Sequence, residues 1–279
     1  MNNPYYQQNT ESNRDPEMIE QRNNQANLFS KNMINSNNPY EPGNDAINKD
    51  FQDDFLDNTF TNGVNQQMRL GFIRKVYGVL TAQILITALV SSIGFIQGVQ
   101  DYYKITMWPF WTSFALMLIV LIPLACFKKI ARQVPLNYIL LFTFTVCEAI
   151  MLSYAFAAIN DWKIVLTAAV MTVAIVAALT AYACTTKTDF TFLGGILFVS
   201  STLLFLLGLF SIFFGGFLHT LYCCLGVIVF SIYLIFDTQL VMGQCGIEYS
   251  VDDYILASLN IYLDIIQLFI YILSLLSKK

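Results

Sequence analysis

Phe190–Phe236 reads FTFLGGILFVSSTLLFLLGLFSIFFGGFLHTLYCCLGVIVFSIYLIF, 47 residues without one Asp, Glu, Lys or Arg. As a single helix it would be roughly 70 Å long at 1.5 Å per residue. That is more than twice the roughly 30 Å hydrocarbon core of a bilayer. Phe213-Phe214-Gly215-Gly216 is the natural break, because paired glycines punctuate an apolar helix. The stretch therefore reads as two spanning helices, with cores at 191–213 and 217–241.

The same punctuation by charge runs through the chain from Arg69 onward. Val76–Gln100, Ile105–Phe127 and Ile164–Thr186 carry no charge. Gln133–Asn160 carries only Glu148, and Tyr254–Ser277 only Asp264. These runs predict five more helices, with cores at 76–97, 108–126, 136–158, 164–182 and 255–276. Hydrophobic residues make up 56% of the 279 and charged residues 12%, half of the roughly 25% usual for soluble proteins. The predicted fold is an all-α integral membrane protein, a bundle of seven transmembrane helices.

Residues 1–68 have a different composition. They hold 16 Asn, 7 Gln, ten acids and four bases, with prolines at Pro4, Pro16, Pro39 and Pro42. Too little apolar surface is available there to offset the entropy of ordering. The expected organisation is a disordered acidic tail at 1–68 and a seven-helix membrane domain at 69–279. No basic start followed by an apolar run marks a cleavable signal. Within the tail, Asp50-Phe51-Gln52-Asp53-Asp54-Phe55-Leu56-Asp57 fits either a docking peptide for a trafficking adaptor or plain acidic linker.

Orientation follows the bias of Lys and Arg. Arg69, Arg74 and Lys75 precede the first span, and Lys128, Lys129 and Arg132 occupy the second loop. The first and third loops carry one base each, Lys104 and Lys163. The N-terminus is expected in the cytosol. The acidic sixth loop and the terminal Lys278-Lys279 run against this pattern, unless one segment is re-entrant. No basic cluster is large enough for nucleic acid. His219 is the single histidine, which excludes metal sites built on two or more.

Three acids lie inside apolar runs: Glu148, Asp237 and Asp264. An ionised acid at mid-bilayer costs at least about 2.5–3.5 kcal/mol, so such residues are functional by default. In the seventh segment Asn260, Asp264, Gln267, Tyr271 and Ser274 recur at helical spacing and form one polar stripe. Large apolar residues flank it, which predicts a central seventh helix surrounded by the others. Consecutive antiparallel helices can bring Asp237 and Asp264 together. Counting from the expected helix ends leaves them roughly 7 Å apart in depth, unless the seventh helix begins as an interfacial piece near 252–257. Two carboxylates about 4 Å apart repel by about 4 kcal/mol at an effective dielectric near 20. Such a pair would hold one proton near neutral pH and titrate as a unit. The shared proton would tie two helices together. Its loss would leave an anionic site suited to a hard cation such as calcium.

These residues also carry a resemblance. Asp237-Thr238-Gln239-Leu240-Val241-Met242-Gly243 resembles the sixth-helix signature of the Lifeguard group of transmembrane Bax-inhibitor-motif proteins, as does Leu218-His219-Thr220-Leu221-Tyr222. Asp252-Asp253-Tyr254-Ile255 and Asn260-Ile261-Tyr262-Leu263-Asp264-Ile265-Ile266 resemble their seventh helix. Thr186-Lys187-Thr188-Asp189-Phe190-Thr191 resembles their fourth loop, and Phe72-Ile73-Arg74-Lys75-Val76-Tyr77 their entry to the first helix. The resemblance implies a non-enzymatic calcium leak across endomembranes, endoplasmic reticulum or Golgi, that suppresses stress-induced cell death. It implies a proton-sensing gate at Asp237 and Asp264, which would make transient calcium contacts, with calcium as the permeant ion and no cofactor. Glu148, Asn260 and Gln267 are further candidates for lining the path. Bacterial relatives add an arginine on the second helix, and Ile105–Phe127 contains none.

Other classes compete with this reading, a seven-helix receptor among them, although no Asp-Arg-Tyr step follows the third helix. Intramembrane aspartyl proteases also place two aspartates on the sixth and seventh helices, but with glycine and proline motifs that are missing around Asp237 and Asp264. An adaptor that binds membrane-protein partners in cell-death regulation and conducts nothing would use the polar stripe for packing. Charge-neutralising substitution separates it from a leak.

Overall fold

The computed structural model describes the backbone of residues 45–186, 188–243 and 249–277, and within these the side chains from Gln66 onward except that of Thr191. Seven helices are long and apolar enough to cross a membrane among the described residues. They are α1 (Asp45–Ser91), α2 (Trp108–Cys126), α3 (Leu136–Ile159), α4 (Trp162–Thr185), α5 (Gly194–Phe214), α6 (Gly216–Met242) and α7 (Tyr254–Leu276). The α5–α6 break falls where the glycines placed it. Gly215 and Gly216 have φ of +49° and +50°, a region closed to most side chains but open to glycine.

The first span differs from its expected core. Its membrane portion is Gln66–Phe95, ending in a 3₁₀ turn at Ser92–Phe95. The helix itself starts at Asp45, within the segment expected to be unstructured. No proline lies between Asp45 and Ser91, and extending a formed helix needs only one residue's ordering per added hydrogen bond. Residues 1–44, and the side chains of the Asp50–Asp57 motif, lie outside the described residues.

The bundle is organised around α7. Its buried residues include Ile255, Leu259, Tyr262, Ile266, Leu268 and Ile272, and it packs against α6, α3 and α4. It runs unbroken for 23 residues, about 35 Å at 1.5 Å per residue. α5 is the opposite case. Only Leu197, Leu204 and Ser211 are buried on it, one residue every seven, which is a single narrow seam. Phe198, Phe205, Phe213 and their neighbours point outward. Such a large apolar surface is stable in lipid and a liability in water.

Helix association in lipid gains little from burying apolar surface, so close packing and interhelical hydrogen bonds carry it. The α6–α7 seam shows both. A Cβ at Gly226 would come within 2.6 Å of the Tyr271 ring, so only glycine permits that approach. Beside it the Tyr271 hydroxyl donates to Tyr222 Oη at 3.1 Å.

Candidate functional site

Asp237 sits five residues before the end of α6, and Asp264 lies in the middle of α7. Their carboxyls are in hydrogen-bonding contact with each other. Both are buried, at 5% and 4% exposure. A carboxylate carries no donor, so a bond between two carboxyls closes only with a proton on one of them. The second oxygen of Asp264, Oδ2, is buried without a partner. Among the described residues no basic side chain pairs with either acid.

The offset in depth inferred from the helix ends is absorbed by protein. Ile255, Ala257, Ser258 and Leu259 in the first turns of α7 are fully buried. Just before them, Asp253 is held by Arg132 from the α2–α3 connection through two parallel bonds, Nε to Oδ1 at 2.7 Å and Nη2 to Oδ2 at 2.8 Å. This fork geometry is the strongest form of an Arg–carboxylate contact. The start of α7 is thereby pinned to a neighbouring connection, beyond the end of α6.

Tyr249 lies within electrostatic reach of the pair. Asn260 Nδ2 donates to its hydroxyl at 2.7 Å. Arg69 Nη1 donates to its carbonyl at 2.8 Å, and Arg69 Nη2 to the carbonyl of Leu240. One arginine at the start of the first span thus ties the segment after α6 to the last turn of α6. Burial holds the Tyr249 phenol protonated well above the usual tyrosine range, and the charges of Asp237 and Asp264 add to this. Gln239, two residues past Asp237, binds the α4–α5 connection. Its Nε2 donates to Thr188 O at 2.8 Å, and its Oε1 accepts from Phe190 N at 2.9 Å.

Of the residues singled out in the sequence, Asp237, Asp264 and Asn260 come together. Gln267 is half-buried further along α7, and no hydrogen bond among the described residues joins it to the pair. Glu148 is buried on α3 and lies elsewhere, close to Tyr262. Cys245 and Glu248 of the sixth loop are outside the described residues. Sequence reasoning missed Tyr249, Arg69 and the Arg132–Asp253 fork. They join positions 121 to 180 residues apart, and no periodicity marks such contacts.

Comparison with known proteins assigns the family. The sequence pattern of the family described as "Inhibitor of apoptosis-promoting Bax1" matches residues 69–279. The chain is similar to Protein lifeguard 3 of Homo sapiens, 32% identical over 221 residues that cover 77% of this chain and 71% of that protein. Protein lifeguard 3 of Mus musculus is 31% identical over the same extent. Protein LIFEGUARD 4 of Arabidopsis thaliana is 34% identical over 214 residues, 75% of this chain and 85% of that protein. With seven spanning helices and a match running across all of them, the chain belongs to the Bax inhibitor family of non-enzymatic membrane proteins, which includes the lifeguard proteins.

Proposed function

We propose that the chain is a calcium-leak protein of an endomembrane, endoplasmic reticulum or Golgi, gated by the Asp237–Asp264 pair and restraining stress-induced cell death. The observation that carries this reading is the buried acid–acid contact between α6 and α7. In the latched state one proton is shared and the two helices are tied. Loss of that proton leaves two charges in contact, a repulsion of about 4 kcal/mol at ~4 Å and an effective dielectric of 20. That is enough to move a balanced equilibrium by roughly a thousandfold. The separated carboxylates then offer hard oxygens to a passing calcium ion. Arg69, Arg74 and Lys75 at the start of the first span, with Lys128, Lys129 and Arg132 after α2, support a cytosolic side for residues 1–68 and for the Asp237 end of α6.

The sign follows from the latch. Raising pH removes the proton, so the leak increases from pH 5 to 8. Asp237→Asn supplies an amide donor to Asp264 and mimics the latched pair at every pH. The test is calcium flux into liposomes holding the purified full chain. Wild type should leak more at pH 8 than at pH 5, rising by up to about tenfold per pH unit below the titration midpoint and levelling above it. The Asp237→Asn variant should leak little at either. Flux no greater than that of empty liposomes, with folded protein inserted, would favour a non-conducting adaptor.

A further inference from the structure

The other side of α7 meets a second polar cluster, built from Gln83 and Thr87 of α1, Thr145 and Glu148 of α3, and Tyr262 of α7. All five are buried, with Gln83 at 0% and Glu148 at 6% exposure. α1 and α3 run in the same direction here: Gln83 meets Thr145, and further along Gly94 lies against Ser153. Thr87, one turn beyond Gln83, and Glu148, one turn beyond Thr145, therefore stand at one level. Tyr262 reaches that level from α7, its hydroxyl 2.8 Å from Thr87 Oγ1 and within electrostatic reach of Glu148.

The hydroxyl protons can be assigned one by one. Thr145 gives its proton to the Leu141 carbonyl at 2.9 Å, so toward Gln83 it can only accept. That fixes the amide of Gln83, with Nε2 donating to Thr145 at 3.2 Å and Oε1 left as a buried acceptor with no donor. Thr87 gives its proton to the Gln83 carbonyl at 2.8 Å. The bond between Thr87 and Tyr262 must then be donated by Tyr262. Every hydroxyl proton is spent, and what remains is Gln83 Oε1, the lone pairs of Tyr262 Oη and the Glu148 carboxyl. All are acceptors.

No Lys or Arg pairs with this cluster among the described residues. The other titratable group beside Glu148 is the Cys147 thiol on the same helix. Asp264 is two residues past Tyr262, about 200° around α7, and faces α6 instead. Buried acceptors without donors are costly, and a cation or a proton satisfies them. Charge selects between ions: one carboxylate balances one positive charge, whereas a divalent ion would leave a net charge in the membrane interior. Thr87 also borders a cavity of about 400 Å³ between α1, α3, α4 and α7, whose lining includes Ser91 and Thr172.

We propose that Glu148, Gln83 Oε1 and Tyr262 Oη form a site for one hard monovalent cation, of the sodium class, which competes with a proton for Glu148. The site is separate from the aspartate pair, and its test reads no calcium flux.

Purified full-length protein is unfolded by heat in detergent while sodium chloride replaces choline chloride at constant ionic strength and pH 8. The expected result is a saturating rise of the midpoint with sodium. The half-saturating concentration should increase about tenfold per pH unit once the proton competes. Asp264→Asn should keep the sodium response, and Glu148→Gln should lose it. Gln83→Met, which replaces the amide by a thioether of similar length, should raise the half-saturating concentration at least tenfold and covers the case in which Glu148→Gln does not fold. A wild type indifferent to sodium overturns the proposal, and a midpoint that responds only to pH would then assign the acceptors to a proton alone. An equal sodium response in wild type, Glu148→Gln and Gln83→Met also overturns it.

Discussion

α7 presents one acidic setting to α6 and another to α1 and α3, and the two differ in the ratio of carboxyls to donors. On the α6 side two carboxyls face each other, and under the proposed latch one proton would serve both. On the α1–α3 side a single carboxyl, Glu148, sits among oxygens whose protons are already committed. In the proposed function the first arrangement would store repulsion that a proton restrains. The second holds unmet acceptors that the proposed cation would relieve. An acid in an apolar span is thus only the start of an assignment, and its neighbours' hydrogen bonds decide what it can do.

The two faces can be perturbed separately. The largest expected effect is at the α6–α7 seam. Gly226→Ala forces a Cβ to 2.6 Å from the Tyr271 ring, an overpacking that should cost about 1–3 kcal/mol. The thermal midpoint in detergent should fall, whereas an unchanged midpoint would show that the seam is loose and the contrast between faces overstated. Of similar size, Arg69→Ala removes charged donors to the Tyr249 and Leu240 carbonyls. It should cost about 1.5–3 kcal/mol and increase hydrogen exchange at Tyr249 and Leu240, with no change around Gln83.

A smaller effect belongs to the other face. Tyr262→Phe removes the donor to Thr87 and should cost about 1 kcal/mol while leaving the pH dependence of calcium flux intact. Loss of that dependence would mean the two faces are coupled. The smallest effect appears only in alkali. Tyr249 holds its proton more tightly in the fold than in the unfolded chain, chiefly through burial. The unfolded chain ionises first as pH passes about 10, so stability present below that pH declines above it. Tyr249→Phe should flatten the alkaline decline, as followed by midpoints measured on either side of pH 10.

Much of this was legible in the sequence because lipid imposes a strict rule: backbone polar groups must be satisfied within the span, so long uncharged runs become helices. The ends of α2, α3, α6 and α7 fall within two residues of their expected cores. The start of α1 does not, since propensity along a polar, proline-free stretch gives no sharp boundary. The acids Asp237 and Asp264 stood out against their runs. Their surroundings did not, because Arg69–Tyr249 and Arg132–Asp253 are contacts between connections and helix ends far apart in the chain. The cluster at Glu148 had a signal that was overlooked. Gln83 and Thr87 are spaced by four, and Thr145 and Glu148 by three, so each pair marks one polar face on an apolar helix.

The central claim is that Asp237 and Asp264 share one proton. Infrared difference spectroscopy of the purified chain between pH 5 and 8 reads it directly through the carbonyl stretch of a protonated carboxyl. The expected band disappears as pH rises, is missing in both Asp237→Asn and Asp264→Asn, and survives in Glu148→Gln. A pH-dependent band unchanged by either aspartate substitution would contradict the claim.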